Sequence, residues 1–161
     1  MVIYLEGPGL AAGRPVQATL EQKDQRFSPE VLAVPIGSTV SFPNLDPIFH
    51  NVFSLSKAKL FDLGYYPKGR TRSVTFDRAG VVQVYCHLHP NMSAAILVTP
   101  SAFYTRPGRD GSFTLSEALE GNHKVVVWHK SAGFFQRTIY VPEAGTVELS
   151  LQIPIREDRQ P

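Results

Sequence analysis

Three side chains with soft donor atoms lie close together in the middle of the chain. Cys86, His89 and Met92 follow one another at intervals of three residues, directly after the apolar run at residues 81–85. A thiolate, an imidazole and a thioether suit Mg²⁺ and Ca²⁺ poorly, and methionine is an unusual zinc ligand. The set fits copper, whose trigonal site of two histidines and one cysteine has a weak axial methionine. The motif therefore predicts three of the four ligands of such a site.

A second histidine with restricted surroundings lies upstream. His50 follows an irregular loop at residues 43–49 that contains two prolines and ends in two apolar residues. Prolines limit backbone freedom, so this loop can hold a ligand rigidly. Asn51, the next residue, is expected to tie the two ligand loops together by hydrogen bonding. The predicted metal ligands are His50, Cys86, His89 and Met92.

Cys86 is the only cysteine, so the chain has no internal disulfide. A lone thiol can be a buried apolar residue, a nucleophile or a metal ligand, and the spacing of His89 and Met92 favours the ligand. His87 adjoins Cys86, but Tyr85 and not a histidine precedes the cysteine, so His87 is predicted to be non-ligating. The proposed site offers no open coordination position beyond its weak axial side. The sequence therefore predicts that the protein is not an enzyme.

Short β-type runs must position these loops. Thirteen prolines and twelve glycines separate the runs. Residues 39–42 and 73–76 alternate, and apolar runs at 81–85 and 94–98 flank the cysteine loop. No amphipathic helix precedes residue 100. The pattern predicts an all-β sandwich or barrel, in which the basic segment 57–72 forms a solvated loop.

Composition limits the class of protein. The chain has 161 residues, of which 43% are hydrophobic and 19% are charged, as expected for one ordinary globular domain or two small ones. The net charge of +2 gives no argument for nucleic acid. No apolar run approaches the length of a membrane span. The chain opens directly on a strand-like run at residues 2–5, which suggests a form from which a leader has been removed.

Two sets of residues look like the cupredoxins, the plastocyanin and amicyanin family of type 1 copper proteins. They are Phe42-Pro43-Asn44 with His50-Asn51-Val52, and Tyr85-Cys86-x-x-His89-x-x-Met92. The resemblance covers roughly residues 16–100, within a predicted domain at 10–100. It implies a Greek-key β-sandwich with one copper that cycles between Cu(I) and Cu(II) in single-electron transfer. His50, Cys86 and His89 would be the equatorial ligands, and Met92 the axial one.

The same resemblance implies a redox partner. In the family, the histidine of the second loop lies at a solvent edge within an apolar patch where electrons enter or leave. Here that histidine is His89, with Phe49, Leu88 and Pro90 expected nearby. A redox protein would dock at this patch. The protein is accordingly expected to be periplasmic or otherwise exported.

The last third of the chain resembles a second family. Residues 110–115, with the sequence DGSFTL, and the valine-rich segment 119–127 look like the carboxypeptidase-regulatory, transthyretin-like β-sandwich. The resemblance implies a second small Ig/transthyretin-like sandwich at residues 101–155, with residues 1–9 as an added strand and 156–161 as a tail. The strands predicted from its sequence are 113–115, 124–128, 134–141 and 146–153.

This two-part organisation leaves a second function open. Simple electron shuttles are usually single small domains, so an appended module favours a different role to some extent. The alternative is a copper-binding chaperone, storage or assembly module that carries no electrons. Electron self-exchange and the transfer of copper to a chelator distinguish the two.

Overall fold

The structure is a computed structural model that describes residues 1–154; the predicted tail at 156–161 lies outside the described residues. The described chain has fourteen strands and no helix, which confirms the all-β prediction. No helix in this part of the chain is long and apolar enough to cross a membrane. In chain order the strands are β1 (Val2–Glu6), β2 (Gln17–Thr19), β3 (Glu21–Lys23), β4 (Arg26–Ser28), β5 (Val31–Pro35), β6 (Ser38–Pro43), β7 (His50–Ser56), β8 (Lys59–Tyr66), β9 (Thr71–Phe76), β10 (Gly80–Tyr85), β11 (Ser93–Thr99), β12 (Tyr104–Thr105), β13 (Gly121–His129) and β14 (Gly133–Val141).

The chain forms two compact units. Ala12–Pro100 is one of them and is called the central unit. The other, called the terminal unit, consists of Met1–Ala11 and, among the described residues, 101–154. The central unit carries all four predicted metal ligands.

The central unit contains two larger sheets and a hairpin. One sheet has five strands in the order β5-β11-β10-β7-β8, and the other has three in the order β2-β6-β9. Strands β5 and β11 pair in parallel, as do β2 and β6, and the remaining pairs are antiparallel. Strands β3 and β4 form the hairpin.

Both larger sheets contribute to one apolar core. Alternate residues of β6 are buried, as expected for a strand with one face on a core. Strand β11, which follows the cysteine loop, is buried along almost its whole length. The strand residues of this core cluster are Phe27, Val34, Val40, Phe42, Val52, Tyr66, Val74, Phe76, Val82, Val84, Ala94, Ile96 and Val98.

Two elements of the central unit differ from the sequence-based expectation. The basic segment 57–72 was predicted as a solvated loop, but Lys59–Tyr66 is a strand, so that prediction is wrong. Its exposed side chains are Leu60, Asp62 and Tyr65, while Phe61 and Leu63 pack against the core. It lies at a sheet edge, where pairing with β7 supplies the order that composition does not. The β3–β4 hairpin was not anticipated. Its two-residue turn has positive φ at Asp24 and Gln25, without the glycine that usually signals such a turn.

The terminal unit contains one four-stranded sheet in the order β12-β1-β13-β14. Strand β1 lies inside this sheet and pairs with β12 and β13. Ile3 and Leu5 of β1 pack with Val125 and Val127 of β13 in the apolar core of the unit. The N-terminal residues therefore belong to the same sheet as residues 121–141.

Irregular segments cover one face of that sheet. Residues 113–115 and 146–153 were predicted as strands, but neither makes a strand ladder, so both predictions are wrong. Phe113, Leu115, Leu149 and Leu151 still pack against the core of the sheet. A cavity of about 770 Å³ lies between these segments and the sheet. The side chains alternate as in a strand, while the backbone lacks a partner strand to pair with.

Candidate metal centre

The seven-residue connection between β10 and β11 holds three of the predicted ligands. Its two ends are joined because the N–H of Cys86 donates to the carbonyl of Met92 at 3.3 Å. The N–H of Met92 donates in turn to the carbonyl of His89 at 2.9 Å. Cys86 and Met92 are buried in the core cluster, whereas His89 is half-buried. The short loop thus presents a thiol to the interior and an imidazole near solvent.

His50 comes from the other loop and meets this cluster. Its Nδ1 lies 3.9 Å from the Cys86 Sγ, and the Nδ1 of His89 lies 3.7 Å from the same sulfur. One potential ligand atom from each of the three residues lies within 4.8 Å of the other two. The two imidazole rings are arranged edge to face, with centroids 4.8 Å apart. The three groups therefore surround one small volume.

Asp46 contacts the edge of the His50 ring that points away from Cys86. Its Oδ2 lies 2.7 Å from the His50 Nε2, and both side chains are buried. The contact leaves Nδ1, the atom that faces Cys86, free to bind a metal ion. The carboxylate accepts a hydrogen bond from Nε2–H. This bond favours the tautomer in which Nδ1 has no hydrogen and can donate its lone pair.

The carboxylate of Asp46 is itself held in place. It accepts backbone N–H bonds from Asp24 at 2.7 Å and from Gln25 at 2.9 Å, both in the turn of the β3–β4 hairpin. Burial by itself would raise the pKa of Asp46. The hydrogen bonds from Gln25, His50 and Asp24 outweigh that effect and hold the pKa below its usual value. Asp46 is therefore an anion at neutral pH.

Asn44 braces the His50 loop from inside. Its amide Nδ2 donates to the carbonyls of Ile48, at 2.8 Å, and Tyr66, at 3.0 Å. Its Oδ1 accepts the N–H of Asp46 at 2.9 Å. The side chain is fully buried, so these bonds are shielded from water. One amide thus fixes three points around the loop that carries His50.

A buried phenol lies beneath the same loop. Tyr66 pairs with His50 across β7 and β8, and its hydroxyl donates to the Phe42 carbonyl at 2.8 Å. Gln22 donates to the Tyr66 hydroxyl at 2.6 Å. Burial raises the pKa of Tyr66 to about 12, so the hydroxyl keeps its proton for the bond to Phe42. These hydrogen bonds restrict the movement of the buried residues beneath His50.

Asn51 joins the two ligand loops. Its Oδ1 accepts the backbone N–H of His87 at 3.3 Å, and its Nδ2 donates to Asp62 at 2.7 Å. The bond to His87 spans the two loops, which is the role predicted for Asn51 from its position after His50. The side chain is fully buried.

His87 lies away from the ligand cluster. Its ring stacks on Phe53 with centroids 3.7 Å apart and an interplanar angle of 7°. Its Nε2 lies 3.7 Å from the carboxylate of Asp62, and about half of the side chain is exposed. These contacts account for the ring without a metal ion. The prediction that His87 is not part of the set agrees with its position.

Sequence reasoning missed the residues that orient His50. Asp46, Gln22 and Tyr66 carried no motif, and Asp46 was noted only as part of a proline-framed loop. Asn44 belonged to the Phe42-Pro43-Asn44 motif, but no role was predicted for its side chain. The available signal was a carboxylate four residues before a candidate ligand. The partners of that carboxylate are more than twenty residues away in the chain, so spacing alone does not reveal them.

Exposed apolar side chains belong to both ligand loops. Leu45, Ile48 and Phe49 on the His50 loop are 40%, 38% and 55% exposed, and Leu88 on the cysteine loop is 48% exposed. These four residues are called the apolar patch. Exposed apolar side chains that lie together indicate a contact surface, whereas single ones are ordinary. It adjoins the half-buried ligand candidate His89 in the sequence.

Comparisons with known proteins complete the description. No protein-family model matches the chain, and no curated protein matches it either. The chain is similar to the Cu-containing nitrite reductase of Thermus scotoductus SA-01, with a TM-score of 0.50 and 26% identity. That likeness covers 58% of this chain and 25% of the reductase, so the chain spans about a quarter of that protein.

Two smaller proteins are similar over nearly their whole length. A purple cupredoxin from Nitrosopumilus maritimus has 26% identity and a TM-score of 0.46, over 51% of this chain and 99% of that one. A reduced amicyanin mutant has 20% identity and a TM-score of 0.49, over 60% and 98% respectively. These structural neighbours are cupredoxins, and the described chain has a His–Cys–His group of its own. The predicted fold class, a cupredoxin-type β-sandwich, is confirmed on the strength of the reductase likeness.

Proposed function

We propose that this protein is a type 1 copper protein that passes single electrons between redox partners. His50, Cys86 and His89 would be the equatorial ligands, and Met92 the weak axial ligand. The observation that carries the proposal is the approach of two imidazole nitrogens to one buried sulfur, at 3.7 Å and 3.9 Å.

These separations fit a shared metal ion. Imidazole nitrogens and thiolate sulfurs lie about 2.0 Å and about 2.3 Å from a bound first-row metal ion, and at trigonal angles they are then roughly 3.8 Å apart. A thiolate and a thioether select soft metals, and two imidazoles complete the copper set. The donor chemistry and the spacing of Cys86, His50 and His89 therefore agree with copper.

Bound copper would supply reversible one-electron chemistry. The protein's part is to keep the ligands still, because electron transfer is fast when both oxidation states fit nearly the same geometry. Asp46 holds the His50 ring, and Asn51 connects the two loops. Cys86 gives up its proton on binding metal, as every thiolate ligand must. Burial of the cysteine then excludes water and competing thiol chemistry.

His89 is the proposed electron port. It is half-buried, whereas Cys86 and His50 are 5% and 0% exposed, so it is the ligand nearest to solvent. The apolar patch on the two loops would let a redox partner exclude water from the contact. Electrons would then cross between the partner and His89 over a short distance. We keep an exported or periplasmic location as part of the proposal, testable by cell fractionation.

Copper titration followed by visible absorption tests the proposal. One equivalent of Cu(II) should produce an intense thiolate-to-copper band in the native chain. The band should vanish in Cys86→Ser and persist in the matched control His87→Ala, whose ring contacts Phe53 instead of the cluster. A colourless copper complex, or a band that survives Cys86→Ser, contradicts the proposal.

The alternative is a copper chaperone or assembly module without a carrier role. The separate terminal unit favours it, because an electron shuttle does not need one. Slow electron self-exchange together with rapid loss of copper to a chelator would support the alternative. Rapid self-exchange with tightly held copper would support the carrier.

We also propose that residues 1–9 and 101–155 form the carboxypeptidase-regulatory-like module indicated by the sequence. The position of β1 inside the sheet supports this grouping. Removing residues 1–9 should then lower the thermal stability of the C-terminal part markedly. Unchanged stability would contradict the proposal.

A further inference from the structure

We propose that the apolar patch docks on a redox protein whose own contact surface is ringed by carboxylates, because exposed cations border the patch. This inference rests on the proposed electron-transfer function and adds the charge of the partner. The cations are called the basic rim; its members are Lys23, Arg26, Lys68, Arg70 and Arg72.

The β3–β4 hairpin places two of these cations beside the ligand loop. Lys23 and Arg26 form the last pair of the hairpin, and both are exposed. The two turn residues between them donate their N–H groups to Asp46, which holds His50. The hairpin tip is therefore bonded directly to the loop that supplies Leu45, Ile48 and Phe49 to the patch.

The turn between β8 and β9 and the start of β9 place the other three cations beside the same loop. The N–H of Gly69 donates to the Asn44 carbonyl at 2.8 Å, and the N–H of Asn44 donates to the Arg70 carbonyl at 3.0 Å. Lys68 and Arg70 flank this contact and are exposed. The Arg72 guanidinium lies over the Tyr66 ring, 5.0 Å from its centroid.

The basic rim is not neutralised within the described chain. None of its five members forms an ion pair among residues 1–154. Three exposed carboxylates oppose these five cations: Glu21 on β3, Asp24 in the hairpin turn, and Asp62, which already bonds Asn51 and faces His87. Asp46 is buried and committed to His50. The end of the unit that bears the apolar patch is therefore positively charged.

Charge of one sign around an apolar contact attracts a partner of the opposite sign. Such steering raises association rates and orients the encounter, while the apolar centre supplies close contact. A partner with carboxylates around an apolar entry point fits both features. A basic partner would bring like charges together and be rejected.

The opposite end of the same strands provides a matched control. Lys57 follows β7 and Arg78 follows β9, whereas His50 and Thr71 begin those strands at the metal-centre end. Both control cations are exposed. The pair Lys57→Glu, Arg78→Glu therefore changes the net charge as much as the pair Lys68→Glu, Arg70→Glu, but at the other end.

The first experiment does not depend on copper redox chemistry. Hexacyanocobaltate(III), a redox-inert trianion, is titrated into the ¹⁵N-labelled protein, and amide shifts are followed by NMR. We expect the largest shifts at residues 22–27 and 67–72, their loss in Lys68→Glu, Arg70→Glu, and their retention in the control pair. Shifts centred on residues 57 and 78, or equal shifts in both variants, would overturn the inference.

The second experiment uses a surface that mimics the partner. Copper-loaded protein is studied by voltammetry on gold coated with carboxylate-terminated or amine-terminated alkanethiols. Interfacial electron transfer should be about tenfold faster on the carboxylate surface at low salt, and the advantage should disappear in Lys68→Glu, Arg70→Glu. Equal rates on both surfaces would overturn the inference alone. The absence of a copper wave on both would overturn the proposed function as well.

Discussion

The central unit and the terminal unit are both built from β-strands, but they treat buried polar groups differently. The central unit buries Gln22, Asn44, Asp46, His50 and Asn51, and most of their polar atoms have hydrogen-bond partners. These residues all surround the two ligand loops. The buried polar network of this protein therefore lies around the two loops that carry the proposed ligands.

The terminal unit lacks such a network among its described residues. Its buried histidine, His123, donates one hydrogen bond from Nε2 to the Leu119 carbonyl, and its Nδ1 has no partner. That nitrogen faces Gly7, where a side chain would collide with the ring. One face of the sheet adjoins a cavity of about 770 Å³. Apolar contacts hold this unit together, and the cavity leaves part of one sheet face without packing neighbours.

The largest expected difference between the units comes from one matched phenylalanine pair. Phe42 is fully buried, so Phe42→Ala should lower the free energy of unfolding by about 3–5 kcal/mol. Phe113 is half-buried beside the cavity, so Phe113→Ala should cost roughly 1 kcal/mol. Urea denaturation followed by circular dichroism measures both. Equal losses would remove the contrast between a close-packed unit and a looser one.

The next effect concerns the carboxylate that holds His50. Asp46→Asn removes the anion but keeps the size of the side chain, and copper affinity should fall roughly 10–100-fold. Competition with a chelator of known affinity measures the change. Asp24→Asn is the control, because Asp24 contacts Asp46 through its backbone N–H only. If both variants lose affinity equally, the Asp46–His50 contact is not what positions the ligand.

A smaller effect is expected at the bond between the loops. Asn51→Ala leaves the His87 N–H without its partner and removes one of the hydrogen bonds to the Asp62 carboxylate, and should cost about 1–3 kcal/mol of stability. The exposed Asn91 on the same ligand loop is the control, and Asn91→Ala should change the unfolding midpoint very little. If Asn51→Ala leaves the stability unchanged, the hydrogen bond between the two loops does not stabilise the fold.

The smallest effect concerns one exposed carboxyl group in each unit. The hydrogen bond from Lys59 lowers the pKa of Asp77, and that from the Ser112 hydroxyl lowers the pKa of Asp110. Lys59→Met should raise only the pKa of Asp77, and Ser112→Ala only that of Asp110. Carbon-detected NMR titration reports both. A change of both pKa values in either variant would contradict these local causes.

The sign of the accompanying pH dependence follows from linkage. Each carboxyl has a lower pKa in the folded chain than in the unfolded chain, so ionisation favours folding at neutral pH. The contribution disappears as pH falls through the unfolded and then the folded pKa. Both groups are exposed to solvent, so the unfolding midpoint should barely respond to either substitution.

The sequence predicts the residues that come together at the candidate metal centre better than it predicts their surroundings. Cys86, His89 and Met92 share one short loop, so their spacing alone brings them together. His50 stood out because prolines frame its loop. Asp46 did not, because its role depends on Asp24 and Gln25, whose turn has positive φ without glycine. Contacts between distant segments leave no periodic pattern in the chain.

The same limit explains the errors in secondary structure. The basic segment 57–72 has the charge and glycine content of a loop, yet Lys59–Tyr66 within it pairs with β7 along a sheet edge. Residues 146–153 alternate as a strand does, yet they have no neighbouring strand to bond. In both cases the sequence contains the side-chain pattern but does not reveal whether a neighbouring strand is present to form hydrogen bonds. Strand formation depends on that partner as much as on local preference.

Electron paramagnetic resonance of the Cu(II)-loaded chain tests the central claim most directly. A trigonal site built from His50, Cys86 and His89 should give a narrow copper hyperfine splitting, because the unpaired electron is shared with the Cys86 sulfur. In Cys86→Ser the splitting should widen to that of ordinary nitrogen and oxygen ligation. A wide splitting in the native protein, unchanged by Cys86→Ser, would contradict the type 1 copper site.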